Sequence, residues 1–222
     1  MAVAKKIPLG SRLADIGSDH AYLPIYLVSE GIVRSAIATD VNRGPVKNAE
    51  ENIKAHGFEE KISARLGDGM EGLDSSEYDT VSVCGMGGEL IFRIINNDDV
   101  KSLRPNLILQ PMSSIEDLSY LLAEHGYEIY DDEWIIEGEH IYRIMCVRYT
   151  AEPYKINEIE AYAGAINLKR GDEGTVAYVK RLKKQTQYRL GAKSKSENSD
   201  ASEEKRLLEL IDKYLSERGI IQ

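Results

Sequence analysis

The sequence predicts an α/β fold: a mostly parallel seven-stranded sheet with one antiparallel strand, followed by a small helical hairpin domain. Three observations carry this. Between residues 12 and 149, short β-branched or apolar runs alternate with stretches of helical character, as βαβ units require. A break at Gly138 between two late strand-like runs suits a hairpin, which makes one strand antiparallel. After Thr150, apolar residues recur at helical spacing instead. The expected domains are therefore 1–150 and 151–222.

The elements follow in order. Arg12–Ile16 reads as strand one and Tyr22–Glu30 as its helix, with Pro24 in the first turn, where a missing N–H costs nothing. Ser35–Thr39 is strand two, ending in Asp40. Gly44–His56 is a helix carrying Val46, Ala49 and Ile53 inward, and Gly57 stops it. Ile62–Leu66, Thr80–Cys84 and Leu107–Leu109 are strands three to five. Ser113 or Ser114 is expected to cap a helix running to about His125. Tyr127–Ile136 and Tyr142–Tyr149 complete the sheet. In the tail, Val176, Val179, Leu182 and Leu190, then Leu207, Leu208, Ile211, Tyr214 and Leu215, mark two amphipathic helices joined by a polar linker at Gly191–Asp200.

Composition narrows the function classes. A chain of 222 residues with 42% hydrophobic content is globular rather than disordered. No apolar run is long enough for a membrane span, and none at the start has signal-peptide length. Two cysteines, Cys84 and Cys146, both in apolar runs, make neither a disulfide framework nor a zinc knuckle. The expectation is a soluble cytoplasmic protein with no membrane partner and no metal, and a monomer. Charge divides unevenly: residues 1–150 carry 14 Lys+Arg against 25 Asp+Glu, a net of −11, and residues 151–222 carry 14 against 12, a net of +2. Nine basic residues fall within Lys169–Lys195. This basic arm is either a site for a polyanion or a solvated helix face.

The chemistry gathers at strand ends. Strand one runs into Asp15-Ile16-Gly17-Ser18-Asp19-His20-Ala21-Tyr22-Leu23-Pro24. A glycine there, then a helix, builds a ligand crevice at the carboxyl edge of an open sheet. A dinucleotide site would need glycines where Asp19 and Tyr22 stand, and an anionic Asp19 repels a pyrophosphate. That points to S-adenosylmethionine, which has a ribose, an adenine and a cationic sulfonium but no phosphate. Asp40, 23 residues after Gly17, can accept both ribose hydroxyls, and Asp68 in Gly67-Asp68-Gly69 can accept from the adenine amino group. Gly85, Gly87 and Gly88 in Cys84-Gly85-Met86-Gly87-Gly88 permit a substrate base to approach the backbone. Singly, these are an N-cap, a turn or a packing methionine; together they occupy four strand ends on one edge.

These motifs, with Gly44-Pro45 and Leu107-Ile108-Leu109-Gln110-Pro111, closely resemble the bacterial tRNA adenine-N1 methyltransferases that modify adenine 22 in the D-arm, the TrmK family. The resemblance is strong over residues 9–150 and only general in the tail. It implies a class I Rossmann-like methyltransferase domain followed by a helical, coiled-coil-like domain, with S-adenosylmethionine as cofactor and tRNA as partner. It implies Asp15, Gly17, Ser18, Asp19, Asp40, Val41, Asp68, Gly69, Gly85 and Met86 as cofactor-binding residues. From the room glycines give a backbone, Gly87 and Gly88 would face the substrate base, and from density of positive charge, not from the resemblance, Lys180, Arg181, Lys183 and Lys184 would meet the RNA backbone. Asp19, for the cofactor's amino-acid end or a proton, His20, for substrate contact, and Tyr22, for stacking or packing, are the candidate catalytic residues. Family members carry a helix ahead of strand one where this sequence has Met1–Gly10, so contacts at that end are expected to differ. The alternatives are a methyltransferase for another substrate and a non-catalytic RNA-binding module on the same core.

Overall fold

The computed structural model describes residues 2–194 and 200–220. The chain divides into two compact units: residues up to Asp131 with Ile144–Tyr154, and Asp132–Arg143 with the residues from Lys155 onward. The expected boundary after Thr150 falls instead after Tyr154, and the tip of the last hairpin belongs to the second unit.

Seven strands form one sheet: β1 (Ser11–Ile16), β2 (Val33–Asp40), β3 (Ile62–Leu66), β4 (Thr80–Gly87), β5 (Asn106–Ser113), β6 (Tyr127–Glu137) and β7 (His140–Tyr149). Their order is β3-β2-β1-β4-β5-β7-β6. The β1–β2, β2–β3, β1–β4 and β4–β5 pairs are parallel, and β7 runs antiparallel to β5. Strand order reverses between β1 and β4, where Ile16 lies opposite Val83. Open parallel sheets bind ligands outside the carboxyl ends of the strands at such a reversal.

The central strands are buried on both faces because helices cover both. Leu13 and Ala14 of β1, Val81 and Val83 of β4 and Leu107, Ile108 and Leu109 of β5 are fully enclosed. The helices of this unit are α1 (Tyr22–Ser29), α2 (Arg43–Ala55), α3 (Gly88–Ile95), α4 (Asp98–Leu103) and α5 (Ile115–Glu124). α2 turns Ala49 and Ile53 fully inward, and Val46 is only half-buried. Ser114 precedes α5 as expected, but with a left-handed backbone and no capping bond from its side chain. The largest departure lies at β4, expected to end at Cys84. It continues to Gly87 through irregular register at Met86, and Gly88 opens α3.

In the second unit, α6 (Glu158–Ala163), α7 (Ala165–Arg170), α8 (Glu173–Lys193) and α9 (Ser202–Glu217) accompany the hairpin tip. A capping box between Asn157 and Glu160 starts α6, and Asp172 caps α8 through the Thr175 N–H. Lys183 pairs with Asp212 at 2.6 Å and Lys193 with Glu204 at 2.7 Å, so α8 and α9 run antiparallel. Helix α8 extends into the segment read as a polar linker, of which residues 195–199 lie outside those described. At the hairpin tip, Trp134 stacks on Tyr178, with ring centroids 3.5 Å apart. Among the described residues, no helix is long and apolar enough to cross a membrane.

Candidate active site

The strand reversal fixes where a site can form, and the local backbone gives it shape. Gly17 follows β1 with φ +76°, a conformation open to glycine, and its N–H and that of Ser18 both donate to the Thr39 carbonyl at 2.8 Å. A Cβ at Gly17 would come within 2.1 Å of Met86 Cε, so β4 lays Met86 directly against this turn. The first unit has a cleft of about 250 Å³ here, lined by Gly17, Asp40, Val41, Asp68, Gly69 and Met86 from the strand ends. Leu90, Arg93 and Ile94 of α3 form its other wall. A larger cleft of about 440 Å³ shares Asp68, Gly69, Arg93 and Ile94 with it, and extends past Met70 to Asn97.

Six of the ten expected cofactor residues therefore line one cleft; the other four do not. Asp15 and Ser18 are buried behind the turn. Asp19 is exposed, and Gly85 is exposed with φ +78°, its N–H donating to Gln110 Oε1 at 3.0 Å. Asp40 does not cap α2, whose N-cap residue is Asn42. Its Oδ1 accepts from the Asn42 N–H at 2.8 Å, which leaves Oδ2 without a partner among the described residues. The α3 wall was missed because Gly85–Gly88 reads as a loop. The signal for it was the apolar run Leu90-Ile91-Phe92, then Ile94-Ile95, at helical spacing.

The three candidate catalytic residues sit together ahead of α1 and at its first position. Asp19 Oδ2 lies 3.2 Å from His20 Nε2, and the His20 ring stacks on Tyr22 with centroids 5.1 Å apart and planes 17° from parallel. Tyr22 is 67% exposed, so packing in the core is not its role. The two substrate glycines differ from one another. At Gly87 a Cβ would meet only Ser113 Oγ, at 3.1 Å, so that a side chain fits only if this hydroxyl gives way. Gly88 is buried, and a Cβ there would reach 2.1 Å from the Ser114 carbonyl oxygen. Its small size serves the packing of α3 on the start of α5 rather than the approach of a base. In the second unit, Lys183 is committed to Asp212, whereas Lys180, Arg181 and Lys184 are exposed and pair with no described residue.

Asp15 is a buried carboxyl whose surroundings shift its protonation. Ser82 Oγ donates to its Oδ1 at 2.6 Å, but burial outweighs that bond and one from Ser18 and raises its pKa above the ordinary 3.8. The native state thus holds this proton to a higher pH than the unfolded chain does. The group's stabilising contribution is complete below the ordinary value and is lost as pH rises through the folded one. Asp15→Asn keeps an acceptor for Ser82 and removes the buried charge. The variant is expected to melt higher at neutral pH, by about 2–4 °C per kcal/mol gained, and to lose part of the acid-side slope of stability. Thermal unfolding across pH checks this, and a lower midpoint would contradict it.

Comparison with known proteins gives the family of the chain. A family described as "Methyltransferase domain" matches residues 1–145. A Bacillus subtilis (strain 168) protein, tRNA (adenine(22)-N(1))-methyltransferase, is 36% identical over 144 residues, 64% of this chain and 60% of its own. The chain spans about three fifths of the length of the curated relatives it matches. Among solved structures, a Streptococcus pneumoniae candidate tRNA (m1A22) methyltransferase superposes with a TM-score of 0.85 at 31% identity, covering 96% of both chains. The same Streptococcus protein in complex with S-adenosyl-L-methionine gives 0.84 at 30% identity, again over 96% of both.

Proposed function

The chain belongs to the methyltransferase-domain family and, within it, to the TrmK family, and from that premise we propose that it methylates N1 of adenine 22 in tRNA using S-adenosylmethionine. The observation that carries the reading is the cleft at the strand reversal: two carboxylates, Asp40 and Asp68, line it, and no phosphate cradle does. Those residues fit the cofactor. Oδ2 of Asp40 is available to ribose hydroxyls, and the Asp68 carboxylate suits the adenine amino group. Val41, Leu90 and Ile94 offer apolar surface for the adenine ring, and the absence of a Cβ at Gly17 is what lets Met86 lie against the turn.

When bound, the cofactor supplies an electrophilic methyl group on a sulfonium. Adenine N1 has an in-plane lone pair and needs no prior deprotonation, so the protein's task is positioning and exclusion of water. N1 lies on the Watson–Crick edge, so the base must leave its pair or stack to react. The stacked His20 and Tyr22 rings offer it a face, and the Asp19–His20 pair offers an acceptor for a proton beside it. The base would approach the backbone at Gly87, which has no side chain, at the end of β4. The first 150 residues, with a net charge of −11, repel RNA, and the exposed Lys180, Arg181 and Lys184 of α8 offset this. The protein acts where tRNA is found, in the cytoplasm.

Gly87→Val is expected to leave cofactor affinity within about twofold while lowering methyl transfer at least tenfold (roughly 1.4 kcal/mol of barrier), because it fills the base's space. Calorimetry and turnover on one preparation separate the two effects; lost cofactor binding, or unchanged turnover, contradicts the assignment. The function itself is tested by incubating the protein with methyl-labelled cofactor and unmodified bulk tRNA, then digesting to nucleosides. Label in 1-methyladenosine is expected, and label in any other nucleoside, or in none, overturns the reading.

A further inference from the structure

We propose that Tyr188, on the outer face of α8, is a stacking platform for an unpaired nucleobase of the RNA, next along the helix to phosphate contacts from Lys184 and Arg181. The proposal rests on the RNA-substrate reading above and adds to it a residue and a mode of contact. Helix α8 has two faces of distinct use. Its inner face buries Thr175, Tyr178, Val179, Leu182 and Thr186. Two of its cations, Lys183 and Lys193, are committed to Asp212 and Glu204 of α9. Arg189 donates to Thr186 Oγ1 at 3.2 Å and its guanidinium lies over the Tyr162 ring.

The remaining basic residues sort onto the other face. Arg181, Lys184 and Tyr188 follow one another at three- and four-residue intervals, which sets them on one stripe of the helix. All three are exposed, and Arg181 and Lys184 have no ion-pair partner among the described residues. Tyr188 is 80% exposed, which wastes a large ring on solvent unless something covers it. It borders a shallow cleft of about 450 Å³ with Lys184, Gln185 and Arg189. An aromatic ring set among unpaired cations is complementary to a polyanion that also carries π faces, which describes unpaired RNA. An apolar protein partner would instead require burial of those charges without counter-ions.

The two kinds of contact differ in their dependence on salt. A phosphate contact releases counter-ions, so its loss flattens the plot of log affinity against log salt by about 1 per contact. A base stack releases none, so its loss lowers affinity equally at every salt concentration. Filter binding of the full chain to a tRNA transcript at several salt concentrations reads both. Tyr188→Ala is expected to raise the dissociation constant by about five- to 150-fold with an unchanged salt slope, the range found for one aromatic–base stack. Tyr188→Phe should bind as wild type. Arg181→Gln with Lys184→Gln should flatten the slope by about 2. S-adenosylmethionine binding and far-ultraviolet circular dichroism should be unchanged in every variant, the first certifying the cofactor unit and the second the helices. Wild-type affinity in Tyr188→Ala overturns the proposal, as does an equal loss on a fully paired RNA duplex. If the wild-type protein neither binds nor methylates tRNA, the parent reading fails first, and that outcome is seen before any variant is made.

Discussion

Asp40→Ala is expected to weaken S-adenosylmethionine binding by about 1–3 kcal/mol, roughly five- to 150-fold in the dissociation constant. Asp40 ends β2 on the wall of the cleft, and one of its oxygens is occupied by the Asn42 N–H. The other oxygen is available for charge-assisted bonds to hydroxyls, about twice as strong as neutral ones. Because the side chain does not cap α2, its loss should barely disturb the helix. Asp40→Asn separates the two roles: it still accepts from Asn42 but carries no charge, so its affinity should fall nearly as far. Calorimetric titration decides this. Unchanged affinity in both variants would reduce Asp40 to the turn it makes with Asn42.

The second large effect concerns stability. Arg143 is fully buried in the second unit and meets Asp132, which is 1% exposed, through Nη2–Oδ2 at 2.7 Å and Nε–Oδ1 at 3.0 Å. Its Nη1 donates to the Ala161 carbonyl at 2.9 Å, and the guanidinium lies over the Trp134 ring. Two strands of the hairpin tip and the end of α6 are thus joined by one side chain. Arg143→Ala leaves a buried carboxylate without its partner, and about 3–5 kcal/mol of stability should be lost. Replacing both partners at once, Asp132→Leu with Arg143→Met, should cost much less, since no unpaired charge remains. Denaturant unfolding of the three proteins measures this, and a double variant as unstable as the single one would refute the buried-charge explanation.

These two cases mark where sequence reasoning reaches on this chain and where it stops. Asp40 was legible because β2 is a β-branched run that ends at a carboxylate, and strand ends are where an α/β sheet does its chemistry. The seven strands, one of them antiparallel in the last hairpin, and the four glycine- or aspartate-bearing strand ends were legible for the same reason, since period and punctuation are local properties. What depends on pairing across the fold was not. Arg143 and Asp132 look like ordinary surface charges on alternating strands, and only the hairpin's contact with α6 buries them. Lys183 was indistinguishable from Lys184 until α9 brought Asp212 against one of them. Gly88 read as an opening for substrate, but it is the point where α3 meets the start of α5. The cleft's other wall, Leu90, Arg93 and Ile94, was hidden because Gly85–Gly88 reads as a loop, whereas β4 runs irregularly through it and α3 starts at Gly88.

Methyl transfer to a matched pair of tRNA transcripts, one with adenine at position 22 and one with guanine there, separates the proposed activity from every alternative. A methyl on N1 blocks Watson–Crick pairing, so primer extension along the product reports the position at single-nucleotide resolution. The first transcript should accept about one methyl group and stop extension at position 22; the second should accept none. Equal labelling of both transcripts, or a stop elsewhere, would refute N1 methylation of adenine 22 by this protein.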